Sequence, residues 1–553
     1  MTSEAATPTE AWHSLYPSTL PTHIEPEFAS ILDMIEASVR RVPDRPAIRY
    51  FGRSITFAEL DRMSDALASG LLALGFAAGD RAVLYLQNVP QFVIAQVAVW
   101  KAGGVAVSAN PMYKARELAE ILHDSGATVL VSLESLYRDV AAAVVRSTAV
   151  RTVLTTSELD LAADESSLLT GIVRTRAEGT HDLLELVGEH DGERPVRPAL
   201  QGSDVALLTY TSGTTGPPKG AMTTHGNAVF NAQTFRDWVG LNGDDVVLGV
   251  APLFHITGLI AHIAVSLLIG APLVLTYRFD VSDLLRTVRD ERATFMVGSI
   301  TVFIALMNAA DTDPDALTSL RALYSGGAPI APATARAFQQ RFGIYIHNIY
   351  GLTETTSPAM GVPFGVEAPV DPVSGALAVG IPVFDTTVRI LDEAGAPCAP
   401  GTIGEIAVSG PQVCAGYWRK PAETAQAFVA GELRTGDVGF MDEHGWFYLV
   451  DRKKDQINAG GYKVWPREVE DVLYEHPAVR EAAVVGVADD YRGETVKAYV
   501  SLVPGANATA QELIAFARER MAAYKYPRLL ELVDDIPKTT SGKLLRRALR
   551  DQT

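Results

Sequence analysis

Hydrophobic positions along the first two thirds of the chain alternate between two periods. In Thr56–Leu74 the apolar residues Phe57, Leu60, Met63, Leu67 and Leu71 recur at steps of three and four, which places them on one face of an amphipathic helix. Ala82-Val83-Leu84-Tyr85-Leu86 follows as an apolar run of strand length, and Val93–Ala102 returns to helix. The runs at Thr128–Val131, Leu273–Leu275 and Phe295–Val297 repeat the alternation. Strands that alternate with helices predict parallel sheets covered by helices. Residues 156–200 are weakly patterned and polar, and read as a surface excursion before a strand at Val205–Leu208.

The texture changes to strand and turn beyond about residue 375, where Thr387–Leu391 and Gly404–Val408, bounded by Gly and Pro, predict a small β subdomain. A charged turn, Asp451-Arg452-Lys453-Lys454-Asp455, precedes a compact final unit. In it Pro466–Tyr474 reads as a helix with Pro near its start, Val484–Val487 and Val496–Val503 as paired strands, and Gln511–Met521 as a second helix. The expected fold is α/β with a small α+β C-terminal domain. The boundary falls near Lys454, dividing residues 1–453 from 454–553.

Residues 246–277 contain no Asp, Glu, Lys or Arg and would attract a hydropathy window. Pro252, His255, Gly258, His262, Gly270 and Pro272 interrupt them, so the stretch reads as strand, turn, helix and strand of a buried core, with no integral membrane segment.

Composition narrows the partners. Across 553 residues, 47 Lys+Arg stand against 65 Asp+Glu, a net charge of −18, which disfavours nucleic acid or an anionic membrane surface. The length exceeds one ordinary core, and 48% hydrophobic residues exclude global disorder. Only Cys398 and Cys414 occur, which removes a disulfide framework or a thiolate-rich zinc site and suits a reducing, cytoplasmic setting. The first basic residue is Arg40, preceded by Glu4, Glu10, Glu25 and Glu27, which is not the pattern of a secretory signal.

The strongest local signal is Tyr210-Thr-Ser-Gly-Thr-Thr-Gly-Pro-Pro-Lys-Gly220. Five hydroxyl-bearing side chains, three glycines and one lysine supply donors, backbone access and positive charge for a polyphosphate. A Walker loop is excluded, because no Gly-Lys-Ser/Thr follows and Pro217-Pro218 cannot donate amides. The competing reading is a flexible Ser/Thr/Gly turn; the preceding buried strand and the isolated lysine weigh against it.

Together with this loop, Tyr324-Ser-Gly-Gly-Ala-Pro329, Tyr350-Gly-Leu-Thr-Glu-Thr355, Thr435-Gly-Asp437, Asp451–Asp455, Gly460-Gly-Tyr-Lys463 and Pro537-Lys-Thr-Thr-Ser-Gly-Lys543 occur in order. With them the chain resembles the acyl-activating adenylate-forming superfamily, which includes fatty acyl-CoA synthetases, 4-coumarate-CoA ligases, beetle luciferases and peptide-synthetase adenylation domains. The resemblance implies activation of a carboxylate by ATP to an acyl-adenylate with loss of pyrophosphate, then thiolysis by CoA.

Carried over by motif, Thr211, Ser212, Gly213, Thr214, Thr215, Gly216 and Lys219 would hold the β- and γ-phosphates. Glu354 is the expected Mg²⁺ ligand and Thr353 an α-phosphate contact; alone, Glu354 would be a solvated turn residue. Gly326, Gly327 and Ala328 would wall the adenine with Tyr350 stacked on it and Gly351 following, although a tight strand-to-helix turn predicts the same glycines. Asp437 and Arg452 would contact the ribose; without the motif order either could be a surface ion-pair member.

Lys543 is the expected adenylating lysine, and Arg546 onward is read as a solvated basic helix. The resemblance implies a mobile C-terminal domain with its hinge at Lys454, and a second face presenting Gly460, Gly461 and Tyr462 to the pantetheine arm of CoA. His255 sits where the family has an aromatic or histidine near the carboxylate entry, and a satisfied core histidine is an equal reading. His262 reads as structural.

The segments expected to line the acyl pocket, with Leu259, Ile260, Ile263, Val302, Phe303, Pro358, Ala359 and Met360, are apolar and favour a hydrophobic acid, with a medium- or long-chain fatty acid preferred by resemblance. An aryl acid as substrate, a separate carrier protein as acceptor, and a catalytically inactive nucleotide sensor are the competing readings. A monomer or homodimer is expected. Acidity is uneven: residues 455–553 hold 14 basic and 15 acidic side chains, and residues 205–236 around the phosphate loop contain no Asp or Glu.

Overall fold

The computed structural model describes residues 8–211, 218–309, 313–459, 462–489, 493–539 and 543–550. A seven-stranded sheet runs in the order His181–Asp182, Thr152–Thr156, Val129–Leu133, Arg81–Tyr85, Val105–Ser108, Val205–Thr211, Lys219–Thr224. Its neighbours are parallel except the last pair, an antiparallel hairpin. A nine-stranded sheet has a parallel centre of Ile346–Tyr350, Ala322–Ser325, Phe295–Gly298, Val247–Gly249, Leu273–Leu275 and Pro46–Tyr50.

The predicted helices lie where the periodicity puts them. Phe57–Ala73 starts at Thr56, whose hydroxyl accepts from the Glu59 amide while the Glu59 carboxylate accepts from the Thr56 amide. Such a reciprocal cap satisfies two donors that a helix start leaves open. Pro90–Lys101 opens on proline and is buried on every side. It packs against Pro46–Tyr50 of one sheet and Arg81–Tyr85 and Val105–Ser108 of the other, and a helix between two sheets has no solvent face to keep polar. Its last residue, Lys101, is neutralised by Asp61 and Asp65, each 2.6 Å from Nζ.

The uncharged stretch divides as expected. Strand Val247–Gly249, a π-helical segment Gly258–Ala264 continuing as helix Val265–Ile269, and strand Leu273–Leu275 are all buried. Among the described residues no helix is long and apolar enough to cross a membrane.

A five-stranded sheet from Thr387–Leu391, Gly404–Ser409, Phe428–Val429, Glu432–Met441 and Phe447–Arg452 forms the small β unit. A further five-stranded sheet, Tyr462–Val464, Ile457–Ala459, Gly493–Leu502, Val479–Asp489 and Leu529–Leu532, is mostly antiparallel and is packed with helices Pro466–Tyr474 and Ala510–Arg520.

One expectation is refined and one corrected. Residues 156–200 run mostly over the surface, as expected, but are pinned to the core at a few points. Helix Leu183–Glu189 buries Leu183 and Leu186 in the main core and packs on Phe57–Ala73, and the Glu158 carboxylate accepts the Tyr277 hydroxyl at 2.9 Å. A short amphipathic turn buries little per residue, so its pattern is faint in sequence. Arg546 is not solvated: its side chain is 16% exposed and pairs with Glu470, Asp451 and Asp455, while Leu549 is buried.

Candidate active site

Open α/β sheets place ligands outside the carboxyl ends of their parallel strands, and several of the predicted residues stand at such ends. The hairpin Val205–Thr211/Lys219–Thr224 pairs Thr211 with Lys219 at its open end, so both stand at the mouth of the intervening loop. Ser212, Gly213, Thr214, Thr215 and Gly216 of that loop lie outside the described residues.

The Lys219 ammonium sits 5.0 Å from the ring centroid of Tyr417, whose hydroxyl donates to Glu354 Oε1 at 2.6 Å. The Glu354 carbonyl accepts from the Cys414 amide at 2.8 Å. Glu354 rides on the short helical turn Thr353–Thr355, which puts Thr353 beside it. Asn231 fastens that turn by donating to the Thr355 and Pro358 carbonyls at 3.1 and 3.2 Å. Thr356 and Ser357 continue in left-handed conformations, φ +52° and +34°. A Cβ on Gly351 would stand 3.0 Å from Ser357 Cα, so the closing chain leaves little room for a side chain there. Neither Tyr417 nor Asn231 was visible in the sequence pattern. Tyr417 lies in an irregular connection 63 residues from its partner, where no periodicity marks it.

A second cluster forms where Tyr350 ends its strand. The Tyr350 hydroxyl donates to Asp437 Oδ2 at 2.9 Å, and Arg452 Nε lies 3.3 Å from Asp437 Oδ1. Asp437 and Arg452 face each other across neighbouring antiparallel strands, which fixes the pair by register. Asp437 is 6% exposed, and burial raises its pKa against the opposing pull of the Arg452 cation. Burial, followed by the Asp437 charge, pushes the Tyr350 phenol well above its ordinary range. Gly326, Gly327 and Ala328 follow the adjacent parallel strand Ala322–Ser325. A Cβ on Gly326 would stand 3.1 Å from Ile349 Cγ2, so the glycine lets the two strand ends close up.

Lys543 arrives from the C-terminal unit. Its Cε lies 3.1 Å from the position a Cβ on Gly327 would take, and Gly327 has φ +84°. Burial and then the Arg452 charge lower the Lys543 pKa, while Asp437 and Glu354 oppose them. Burial, with the Lys543 charge added, pushes His255 down to about 3, so it is a neutral imidazole; its Nδ1 lies 3.3 Å from the Thr257 hydroxyl. Lys543, Asp437, Arg452, Glu354 and His255 therefore share one electrostatic neighbourhood although they come from distant parts of the chain. His262, fully buried, belongs to the core as expected.

Not every predicted residue joins this group. Tyr462 is 60% exposed and stacks on Tyr524 with centroids 4.7 Å apart, and Gly460 and Gly461 lie outside the described residues. Of the expected pocket residues, Leu259, Ile260, Ile263, Ala359 and Met360 pack in the main core, whereas Val302 and Phe303 belong to a second cluster, with Phe303 set edge-on to Phe338.

Comparison with known proteins agrees with this arrangement. Residues 35–418 match the AMP-binding enzyme family, and residues 468–543 match the AMP-binding enzyme C-terminal domain. A long-chain-fatty-acid–CoA ligase of Bacillus subtilis (strain 168) is 36% identical over 554 residues, covering 98% of both chains. The crystal structure of the anthranilate CoA ligase AuaEII in complex with anthranoyl-AMP superposes with a TM-score of 0.85 at 26% identity, covering 97% of this chain and 98% of that one. ATP-bound MatB from Rhodopseudomonas palustris gives 0.83 at 28% identity, covering 95% and 99%. With the Val205–Thr211/Lys219–Thr224 hairpin, the Tyr350–Asp437–Arg452 cluster and both family modules on one chain, this protein belongs to the AMP-binding enzyme family.

Proposed function

We propose that this chain is an acyl-CoA synthetase that activates a hydrophobic carboxylic acid, with a medium- or long-chain fatty acid favoured. The acid attacks the α-phosphorus of ATP, giving acyl-AMP and pyrophosphate; the CoA thiol then attacks the acyl carbon, giving thioester, AMP and a proton. The convergence of Lys543 on Gly327, Asp437 and Arg452 is the observation that carries this reading, because it brings a half-buried cation to the carboxyl ends of the strands, where an anionic adenylate would need it. The long-chain-fatty-acid–CoA ligase relative supports the fatty acid.

Within this reading Thr211 and Lys219, with Ser212, Gly213, Thr214, Thr215 and Gly216, hold the terminal phosphates. Thr353 contacts the α-phosphate and His255, neutral, lines the carboxylate entry without repelling it. Gly326, Gly327, Ala328, Tyr350 and Gly351 take the adenine, and Asp437 with Arg452 the ribose. Lys543 offsets the charge that gathers as the carboxylate meets the triphosphate.

Mg²⁺ fits at Glu354. Among the described residues no group of three or more His, Cys, Asp or Glu side chains is placed to hold a metal, and Mg²⁺ bound with nucleotide needs only one or two carboxylates, the remaining ligands being phosphate and water. When bound it supplies charge neutralisation on the phosphate oxygens. Tyr417 engages Oε1 of Glu354 and so aims the carboxylate.

For the second half-reaction the C-terminal unit, residues 454–553, turns about Lys454 and presents Gly460, Gly461 and Tyr462 to the pantetheine arm. The exposure of Tyr462 in the present arrangement supports this, since a face that works only after rotation is idle before it. Cys398 and Cys414, both free thiols, support a cytoplasmic setting.

A pyrophosphate-release screen over acetate, octanoate, palmitate, benzoate and coumarate, with and without CoA, tests the proposal. Turnover of palmitate or octanoate with thioester formation is expected. Preference for coumarate or benzoate would move the substrate to an aryl acid, as the anthranilate CoA ligase likeness would suggest. Silence on every acid would leave a nucleotide sensor.

A further inference from the structure

We infer that Arg546 positions Lys543 for the first half-reaction by bonding across the pivot to Asp451. The inference rests on the reading of Lys543 as the adenylating lysine. The Arg546 guanidinium grips Glu470 with Nη2 at 2.9 Å from Oε1 and 2.8 Å from Oε2, and Nη1 reaches Asp451 Oδ1 at 2.9 Å and Asp455 Oδ2 at 3.5 Å. All of this is shielded: side-chain exposure is 16% for Arg546, 4% for Asp451, 11% for Asp455 and 1% for Glu470. Charge-assisted bonds from a rigid fork in such a place fix orientation as well as energy.

The three carboxylates divide by where they sit in the chain. Asp455 and Glu470 follow Lys454 and travel with the unit that carries Arg546. Glu470, on helix Pro466–Tyr474, also accepts the Val484 amide at 2.9 Å, so it is part of that unit's own frame. Asp451 precedes Lys454 on strand Phe447–Arg452, directly beside the arginine that meets Asp437. A rotation about Lys454 carries Arg546 away with Glu470 and breaks its bond to Asp451. The bond to Asp451 therefore belongs only to the arrangement in which Lys543 stands at Gly327.

Arg546 is coupled to Lys543 by a short hairpin. Thr539 donates its amide to the Lys543 carbonyl at 2.7 Å, Leu545 donates to the Pro537 carbonyl at 2.8 Å, and Lys538 and Leu544 are bridged. Fixing Arg546 to the strand beside the ribose pocket therefore limits where the Lys543 ammonium can stand. Effective positioning of this kind changes rate more than affinity.

Asp451→Asn tests this, since it keeps the shape and removes the charge that Arg546 meets, while retaining one oxygen for either the Arg452 amide, now on Oδ1, or the Arg467 amide, now on Oδ2. Arg546 keeps Glu470, so the fold is retained; Arg546→Lys, which keeps the charge but loses the fork, is the second variant. Both are expected to slow single-turnover pyrophosphate release about tenfold with the ATP KM unchanged, while thiolysis of supplied acyl-adenylate stays within twofold. In a Lys543→Ala background, Asp451→Asn is expected to add no further loss to residual adenylation.

Equal loss of both half-reactions, or the same fold-loss with and without Lys543, overturns the positioning role alone. Wild-type adenylation by Lys543→Ala overturns the lysine assignment and this inference with it.

Discussion

Tyr417→Phe is the sharpest probe of the Mg²⁺ site proposed at Glu354. The substitution removes one oxygen and leaves the ring beneath the Lys219 ammonium, so the contact at 5.0 Å survives while the 2.6 Å bond to Glu354 is lost. Hydrogen bonds to charged groups contribute about 1.5–3 kcal/mol. Glu354 is half-buried and its freed oxygen can take water, so the lower figure applies, about 1.5 kcal/mol or roughly tenfold in rate. The carboxylate would then turn between several rotamers instead of facing the nucleotide. Initial rates of pyrophosphate release, measured against Mg²⁺ concentration at saturating ATP and acid, are expected to show about a tenfold lower plateau and a higher half-saturating Mg²⁺. Tyr417→Ala should lose a further increment of about 0.5–1 kcal/mol, because the cation–π contact goes as well. A Tyr417→Phe protein with wild-type plateau and wild-type Mg²⁺ dependence would refute the reasoning, for it would mean that Glu354 needs no support.

Other perturbations address the remaining parts. Gly327→Ala forces a left-handed backbone on alanine at φ +84° and places its Cβ 3.1 Å from Lys543 Cε; adenylation should fall about tenfold while thiolysis of supplied acyl-adenylate is nearly spared, and parallel loss would count against the contact. Asp437→Asn keeps the shape but removes the charge facing Arg452, so AMP affinity measured by calorimetry should weaken about tenfold; unchanged affinity would remove Asp437 from the ribose site. Because burial lowers the Lys543 pKa, kcat/KM for adenylation should decline on the alkaline side below the ordinary lysine value of 10.5, and Lys543→Arg should shift or erase that limb. The same shift means the unfolded chain binds more protons than the folded one between the two pKa values. The stability penalty of Lys543 is therefore full below its folded pKa and fades as pH rises toward 10.5, so the Tm gap between Lys543→Met and wild type should narrow over that window; a constant gap would contradict the burial argument.

The pattern of the chain carried most of the architecture because local burial writes a local period. Phe57–Ala73, Pro466–Tyr474 and Thr387–Leu391 each present one side to a core or alternate across a sheet, and their sequences show it. The uncharged stretch 246–277 was separable from a membrane span for a related reason, since its Pro and Gly breakers leave no continuous helix. The candidate phosphate loop stood out for a chemical reason, because cradling polyphosphate demands glycines, hydroxyls and a lysine within a few residues.

What the sequence concealed lies in contacts between distant segments. Arg546 looked like one basic residue among several on a polar helix, yet Asp451, Asp455 and Glu470 surround it from segments far upstream. Tyr417 carried no mark until Glu354 was placed against it, and Tyr350 was expected to meet only a base but also donates to Asp437. A charge is read as solvated whenever its partners are remote in sequence, since periodicity reports the side of an element and not what stands opposite. Spacing along the chain is enough to propose phosphate-binding and adenylating residues as a set; the meeting of Lys543 with Gly327, and the proposed tether through Arg546, exist only once strand register and sheet packing bring these distant segments to one point.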